Sequence, residues 1–246
     1  MRYRSVIFDL DGTVLNTLGG LTNAVNHSLT AFGLEEVSED RVRQMIGNGT
    51  RKLIERSLEG RAEELFDRVY AEYSRFYQEN CSYDTYPYDG ITDMLDKLRS
   101  HGIKCAVVTN KPDAAAKKLI EENFGDLICE THGNVPDVPV KPDPTFVFKT
   151  MEDLRVRPEE TVYIGDSDVD IRTGKNAGID VISVDWGFRS RDFLIENGAG
   201  IIFSDPGTLT SYLIDESRCA LNSSPDRGES IAGAMSNTVL QPKSPF

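Results

Sequence analysis

Ser5-Val6-Ile7-Phe8-Asp9-Leu10-Asp11-Gly12-Thr13 is the stretch that decides the fold of this 246-residue chain. Four residues, three of them apolar, run into two carboxylates at a spacing of two, followed at once by Gly-Thr. The apolar run reads as a strand buried on both faces. The acids then fall at its carboxyl end, where Gly12 lets the chain turn so that both carboxylates face one site. A bare Asp-x-Asp is common among surface acids, so the weight lies in the apolar lead and the Gly-Thr that follows.

Runs of the same kind recur at Lys104–Thr109, Leu127–Glu130, Thr161–Ile164, Asp180–Val184 and Gly200–Phe203. Between them lie helical patterns at Ile91–His101, Asp113–Asn123, Thr145–Leu154, Asp168–Ala177, Ser190–Asn197 and Pro206–Ile214. Strand–helix alternation predicts an α/β fold with a doubly wound parallel sheet. One connection breaks the rule. About ninety residues separate the first strand from the second, far more than a crossover needs. Its first part has helical period and hardly any β signal, with candidate helices at Leu18–Phe32, Glu39–Met45, Thr50–Leu58 and Ala62–Asn80. Ser38 is placed to cap the second of these. We therefore expect residues 1–15 and 86–216 to form a Rossmann-like catalytic core, residues 16–85 an inserted α-helical cap, and residues 217–246, poor in periodic apolar residues, a mobile tail.

Composition narrows the function. There are 27 Lys and Arg against 40 Asp and Glu, a net charge of −13. No basic run offsets it, which argues against nucleic acid and anionic membranes as partners. No stretch has the length of a membrane span or the layout of a signal peptide, so a cytoplasmic location is expected. Cys81, Cys105, Cys129 and Cys219 lack Cys-x-x-Cys spacing and read as reduced thiols. His27, His101 and His132 share no metal-like spacing, and His101 before Gly102 suits a helix end.

Three further segments sit at expected strand ends, the edge where open parallel sheets bind ligands. In Val108-Thr109-Asn110-Lys111-Pro112, the Thr109 hydroxyl and the Asn110 N–H could hold phosphate oxygens before a helix. In Lys141-Pro142-Asp143, Pro142 biases Lys141 toward an extended backbone, from which its ammonium could meet a phosphoryl group. In Gly165-Asp166-Ser167-Asp168-Val169-Asp170, Asp166 lies at the strand tip, where a hard cation would take a carboxylate. Each segment alone has an ordinary explanation as a cap or a solvated loop.

Taken together and in this order, Asp9/Asp11, Thr109, Lys141 and Asp166/Asp170 resemble the motif set of the haloacid dehalogenase superfamily over about residues 5–215. The insertion after the first motif is similar to the helical cap of its subclass I. Ile46-Gly47-Asn48-Gly49-Thr50, followed by Leu53, resembles a cap segment of phosphoglycolate phosphatases. The resemblance implies a phosphatase acting on small phosphate esters, as a monomer or homodimer. Asp9 would be the covalent nucleophile, Asp11 the general acid and base, and Lys141 the charge neutraliser. Thr109 and Asn110 would hold the phosphoryl oxygens. Mg2+ would be held by Asp9, the Asp11 carbonyl and Asp166, with Asp170 behind them. Asn48, Gly49 and Arg51 are the cap residues expected to meet substrate, Arg51 as a fork for a carboxylate.

The same resemblance leaves rivals. A phosphomutase like β-phosphoglucomutase, a pyrophosphatase or a nucleotidase would keep all four motifs. A dehalogenase would need neither Asp11 nor Asp166, and a phosphonatase generally lacks the second acid of the first motif. A non-catalytic receiver-like module suits neither the insertion nor the completeness of the set.

Overall fold

The computed structural model describes residues 3–60 and 62–215; the expected tail, residues 217–246, lies outside them. In chain order the elements are β1 (Ser5–Phe8), β2 (Leu15–Asn16), α1 (Leu18–Thr30), α2 (Glu39–Met45), α3 (Gly49–Leu58), α4 (Phe66–Asn80), β3 (Tyr86–Pro87) and α5 (Ile91–Ser100). There follow β4 (Lys104–Pro112), α6 (Asp113–Asn123), β5 (Glu130–Asn134), α7 (Thr145–Leu154), β6 (Thr161–Gly165), α8 (Asp168–Ala177), β7 (Asp180–Val184), α9 (Arg191–Glu196), β8 (Ile202–Phe203) and α10 (Pro206–Ile214).

Six strands form one parallel sheet in the order β5-β4-β1-β6-β7-β8. All four residues of β1 are buried, because helices cover both faces. Its side chains alternate between the two layers. Val6 and Phe8 enter the larger core with Leu95, Leu119 and Leu209, whereas Ile7 joins Val108, Val147, Met151 and Tyr163 on the opposite face. The hydroxyls of Ser5 and Thr161, 2.8 Å apart, satisfy each other inside this packing. The chain winds from β1 toward β4 and β5 on one side, then toward β6, β7 and β8 on the other. The carboxyl end of β1 is thus the point where the winding direction reverses, and a crevice opens there.

The long insertion is helical, as its period predicts. Ser38 caps α2 by accepting the Arg41 N–H, and His101 closes α5 with Nδ1 2.8 Å from the Lys97 carbonyl. The sequence reading missed the antiparallel pair β2 and β3, with Leu15 opposite Pro87 and Asn16 opposite Tyr86. This two-residue ribbon brings the two ends of the insertion together, and it is too short to show a period.

The fourth helix begins at Phe66, after a 3₁₀ turn at Glu63–Leu65, rather than at Ala62. The strand expected at Leu127–Glu130 is also displaced. Gly125, at φ 50°, leads into a 3₁₀ turn over Gly125–Leu127, and pairing begins only with Glu130 opposite Ala106. Leu127 and Ile128 are apolar because they pack on the larger core from that turn. The real strand, Glu-Thr-His-Gly-Asn, lies at the sheet edge and needs little apolar sequence.

Candidate active site

Asp9 follows β1 directly, and its N–H donates to the Ile164 carbonyl of β6 at 2.8 Å. That bond ties it to the strand carrying Asp166. Lys141 arrives on the loop before α7, clamped by the Asn110 side chain. Asn110 Oδ1 accepts the Lys141 N–H at 2.7 Å, and its Nδ2 donates to the Lys141 carbonyl at 3.1 Å. The Lys141–Pro142 peptide is cis. From this seat the Lys141 ammonium reaches Asp9 Oδ1 at 2.8 Å, Asp170 Oδ1 at 2.8 Å and the Tyr163 hydroxyl at 3.0 Å. Tyr163 in turn donates to the Val108 carbonyl at 2.8 Å.

Asp166 is held on the other side. Phe188 N–H donates to its Oδ2 at 2.6 Å, and Thr13 Oγ1 donates to its Oδ1 at 3.4 Å. Gly12 has φ +81°, and a Cβ there would collide with the Asp166 carboxylate. The Gly after the acid pair therefore gives both the turn and the room for a third acid. Asp170 caps α8 by accepting from Ser167 N (3.0 Å) and Ser167 Oγ (2.6 Å) while it pairs with Lys141.

Asp9, Asp166 and Asp170 each bring a carboxylate oxygen within 4.8 Å of the others, and all three are buried. Burial pushes Asp9 up to about 7, against the pull of Lys141, with Asp170 and Asp11 pushing the same way. Burial, then Asp170 and Asp9, also raises Asp166 well above the carboxylate range. Burial alone would lower the Lys141 ammonium, but Asp170 and Asp9 raise it further than burial lowers it. Three buried acids against one lysine is a site short of positive charge. An all-oxygen donor set of this kind suits a hard divalent cation.

The cavity above these groups is walled by core residues, among them Asp11, Thr109, Asn110 and Lys111, and by insertion residues, among them Gly47, Gly49, Thr50, Leu53, Tyr73 and Tyr77. The core and cap candidates fare differently. Asp9, Asp11, Thr109, Asn110, Lys141 and Asp166 converge on this cavity, and Asp170 supports it through Lys141. Gly49 lines it. Arg51 does not: one position along α3 from the wall residue Thr50, it points outward, 66% exposed, paired with Glu55 at 3.2 Å and 4.5 Å above the Phe66 ring. Asn48 also turns away, its Oδ1 accepting from Arg56 at 2.7 Å. Helical spacing explains the correction, since Thr50 and Leu53 share the inward face and Arg51 lies about 100° off it.

Two cations went unrecognised in the sequence. Lys111 forms a 2.6 Å ion pair with Asp11 Oδ1 and is itself 1% exposed. Arg189, beyond β7, donates to the carbonyls of Arg43 and Ile46, both at 2.8 Å. Lys111 lay inside a quoted motif but carried no spacing signal. The Trp-Gly-Phe-Arg stretch at positions 186–189 was an unread clue at another strand end.

A buried carboxylate facing a lysine at the switch point of a parallel sheet, roofed by helices, defines an α/β enzyme that handles anions. The comparisons give the family. Residues 6–184 match the family described as haloacid dehalogenase-like hydrolase, and the chain belongs to it. The phosphoglycolate phosphatase of Aquifex aeolicus is 37% identical over 191 residues, covering 75% of this chain and 86% of its own. The N-acetylmuramic acid 6-phosphate phosphatase of Pseudomonas aeruginosa is 30% identical over 234 residues, covering 89% and 98%. A crystal structure from Lactobacillus delbrueckii subsp. bulgaricus, provisionally assigned as a phosphoglycolate phosphatase, superposes with a TM-score of 0.82 at 30% identity, covering 88% of this chain and all of its own.

Proposed function

We propose that this enzyme is a Mg2+-dependent phosphatase that cleaves small phosphate monoesters, with phosphoglycolate the leading substrate, through an aspartyl phosphate on Asp9. The observation that carries the reading is the bridge from Lys141 to Asp9 and Asp170, 2.8 Å to each. It holds an otherwise shielded carboxylate oriented, next to the acid cluster, at the edge where ligands bind. The two curated relatives named above act on phosphate esters of acids, in keeping with the same reaction class.

Asp9 attacks phosphorus, forming the carboxyl O–P bond as the ester P–O bond breaks. Asp11, on the wall of the cavity, gives a proton to the departing oxygen, then takes one from the water that cleaves the acyl phosphate. Lys141 offsets the charge of nucleophile and phosphoryl group. The Thr109 hydroxyl and the Asn110 N–H bind the transferring oxygens. The acids fit Mg2+ by chemistry and closeness: Asp9 and Asp166 would hold it through their carboxylates and Asp11 through its carbonyl, with Asp170 supporting them. When bound, the ion supplies the positive charge that lets two anions approach.

In this reading residues 16–85 are a cap that shields the core formed by residues 1–15 and 86–216 from bulk water. Among the described residues no helix is long and apolar enough to cross a membrane, and Cys81, Cys105 and Cys129 are free thiols. Both agree with work in the cytoplasm. Hydrolysis of an aryl phosphate and of 2-phosphoglycolate, with and without EDTA, tests the proposal. Turnover that needs Mg2+ and disappears in Asp9→Asn is expected. Full activity in EDTA or in that variant would refute it.

A further inference from the structure

The cations that meet the cavity differ in how much of their hydrogen-bonding capacity is already used. Lys141 is already engaged by three groups, donating to Asp170 and the Tyr163 hydroxyl and forming an ion pair with Asp9. Arg189 spends both terminal nitrogens on main-chain carbonyls. Lys111 pairs with Asp11 Oδ1 at 2.6 Å and sits 5.0 Å above the Tyr77 ring. An ammonium carries three donors, so Lys111 keeps capacity for a further acceptor. Tyr77 comes from the other wall. It is 3% exposed, and its hydroxyl, though buried, has no hydrogen-bond partner. A buried donor without an acceptor is costly, and native structures seldom keep one without a use.

Both residues line the same cavity, on the Asp11 side of it. If Asp11 protonates the departing oxygen, the leaving group lies against Asp11. The groups beyond Asp11 then meet whatever the leaving group carries. A methyl or methylene there offers Lys111 and Tyr77 nothing. A carboxylate offers acceptors to both, from side chains that are themselves buried, and charge-assisted hydrogen bonds are the strong ones.

We propose that Lys111, with the Tyr77 hydroxyl beside it, is the specificity-determining pair of this enzyme and binds a carboxylate carried by the leaving group of the phosphate ester. The inference rests on the phosphatase reading and deepens it, since it makes the substrates phosphate esters of small hydroxy acids. Arg51, which the sequence offered for this task, faces solvent. Lys111 serves substrate choice directly and does not act solely as a partner for Asp11.

The test is a ratio. Ethyl phosphate matches 2-phosphoglycolate with a methyl group in place of the carboxylate. We expect kcat/KM to favour 2-phosphoglycolate at least about tenfold in the wild-type enzyme, the size of a charged hydrogen bond. In Lys111→Met the ratio is expected to fall to near one, and Lys111→Arg to restore part of it. Tyr77→Phe, which keeps the packing, should lower the ratio by a smaller factor, about threefold.

A wild-type ratio near one would overturn the proposal. So would a Lys111→Met variant in which both esters slow equally, since Lys111 would then act only through Asp11. If Lys111→Met turns over neither ester, calorimetric binding of the two esters to Asp9→Asn and to Asp9→Asn/Lys111→Met, with Mg2+, reads the same ratio. Tyr77→Phe provides a fully packed comparison. An enzyme that hydrolyses neither ester nor an aryl phosphate would sink the phosphatase reading itself, a result distinct from an unchanged ratio.

Discussion

The guanidinium of Arg189 donates to the carbonyl of Ile46 at 2.8 Å, and so joins the loop after the fifth strand of the sheet to the end of a helix in the insertion. A second bond, to the Arg43 carbonyl at 2.8 Å, completes the hold. The last carbonyls of α2 have no partner within the helix, and a cation from another part of the chain satisfies them. One residue before Arg189, the Phe188 N–H holds Asp166. A single short loop thus touches both the acid cluster and the roof above it.

Replacing that guanidinium should loosen the roof without touching Asp9. Arg189→Ala is expected to lower kcat/KM by about tenfold, through the loss of charged hydrogen bonds. Amide exchange in α2 should quicken at the same time. Unchanged exchange and kinetics would show that other contacts, such as Asn110 Nδ2 to the Gly47 carbonyl at 3.2 Å, suffice for closure.

Gly12 offers a test of the acid cluster. Its φ of +81° already disfavours any side chain, and the added methyl would press on Asp166. The left-handed backbone alone costs about 1–2 kcal/mol in a non-glycine residue. Gly12→Ala should therefore lower the melting temperature and weaken Mg2+ binding together, read by thermal melts with a Mg2+ titration. A variant with wild-type metal affinity would place the cation away from Asp166.

The raised Asp9 gives a pH dependence whose sign follows from linkage. Its carboxyl titrates near 7 in the folded protein against 3.8 ordinarily. Between these values the folded chain keeps a proton that the unfolded chain has released. Its contribution to stability is present in acid and is lost as pH rises through about 7. In EDTA, the melting temperature of Asp9→Asn relative to wild type should accordingly climb from pH 5 to pH 8. The gain that Mg2+ confers on the wild type should grow over the same interval. A difference that stays flat with pH would mean that Asp9 is ionised throughout.

Much of this architecture was readable in the chain because its strands are buried on both faces. Val-Ile-rich runs such as Thr161–Ile164 and Asp180–Val184 have few alternatives. The edge strand Glu130–Asn134 was misplaced because a sheet edge does not demand apolar residues, while the turn before it did. Within the site, Asp9 and Asp166 were legible from their positions at strand ends, and Lys141 from the proline that follows it, although it sits on the loop before α7. Lys111 and Arg189 were not, since what each one touches depends on segments about a hundred residues away or more. Arg51 was misjudged because a glycine-rich helix start does not reveal which face of the helix turns inward.

The register of the central strand has a consequence for how the enzyme comes into being. β1 precedes both of its neighbours in the chain by a long way, with Ser5 opposite Lys104 on one side and Thr161 on the other. Its three apolar residues must wait for the segment that begins at Thr161 to be made before they are enclosed. A nascent chain stopped short of residue 161 would carry an aspartate with no counterpart to complete it. Until that segment exists, Asp9 lacks both the Ile164 carbonyl that ties it down and the Asp166 and Asp170 carboxylates beside it.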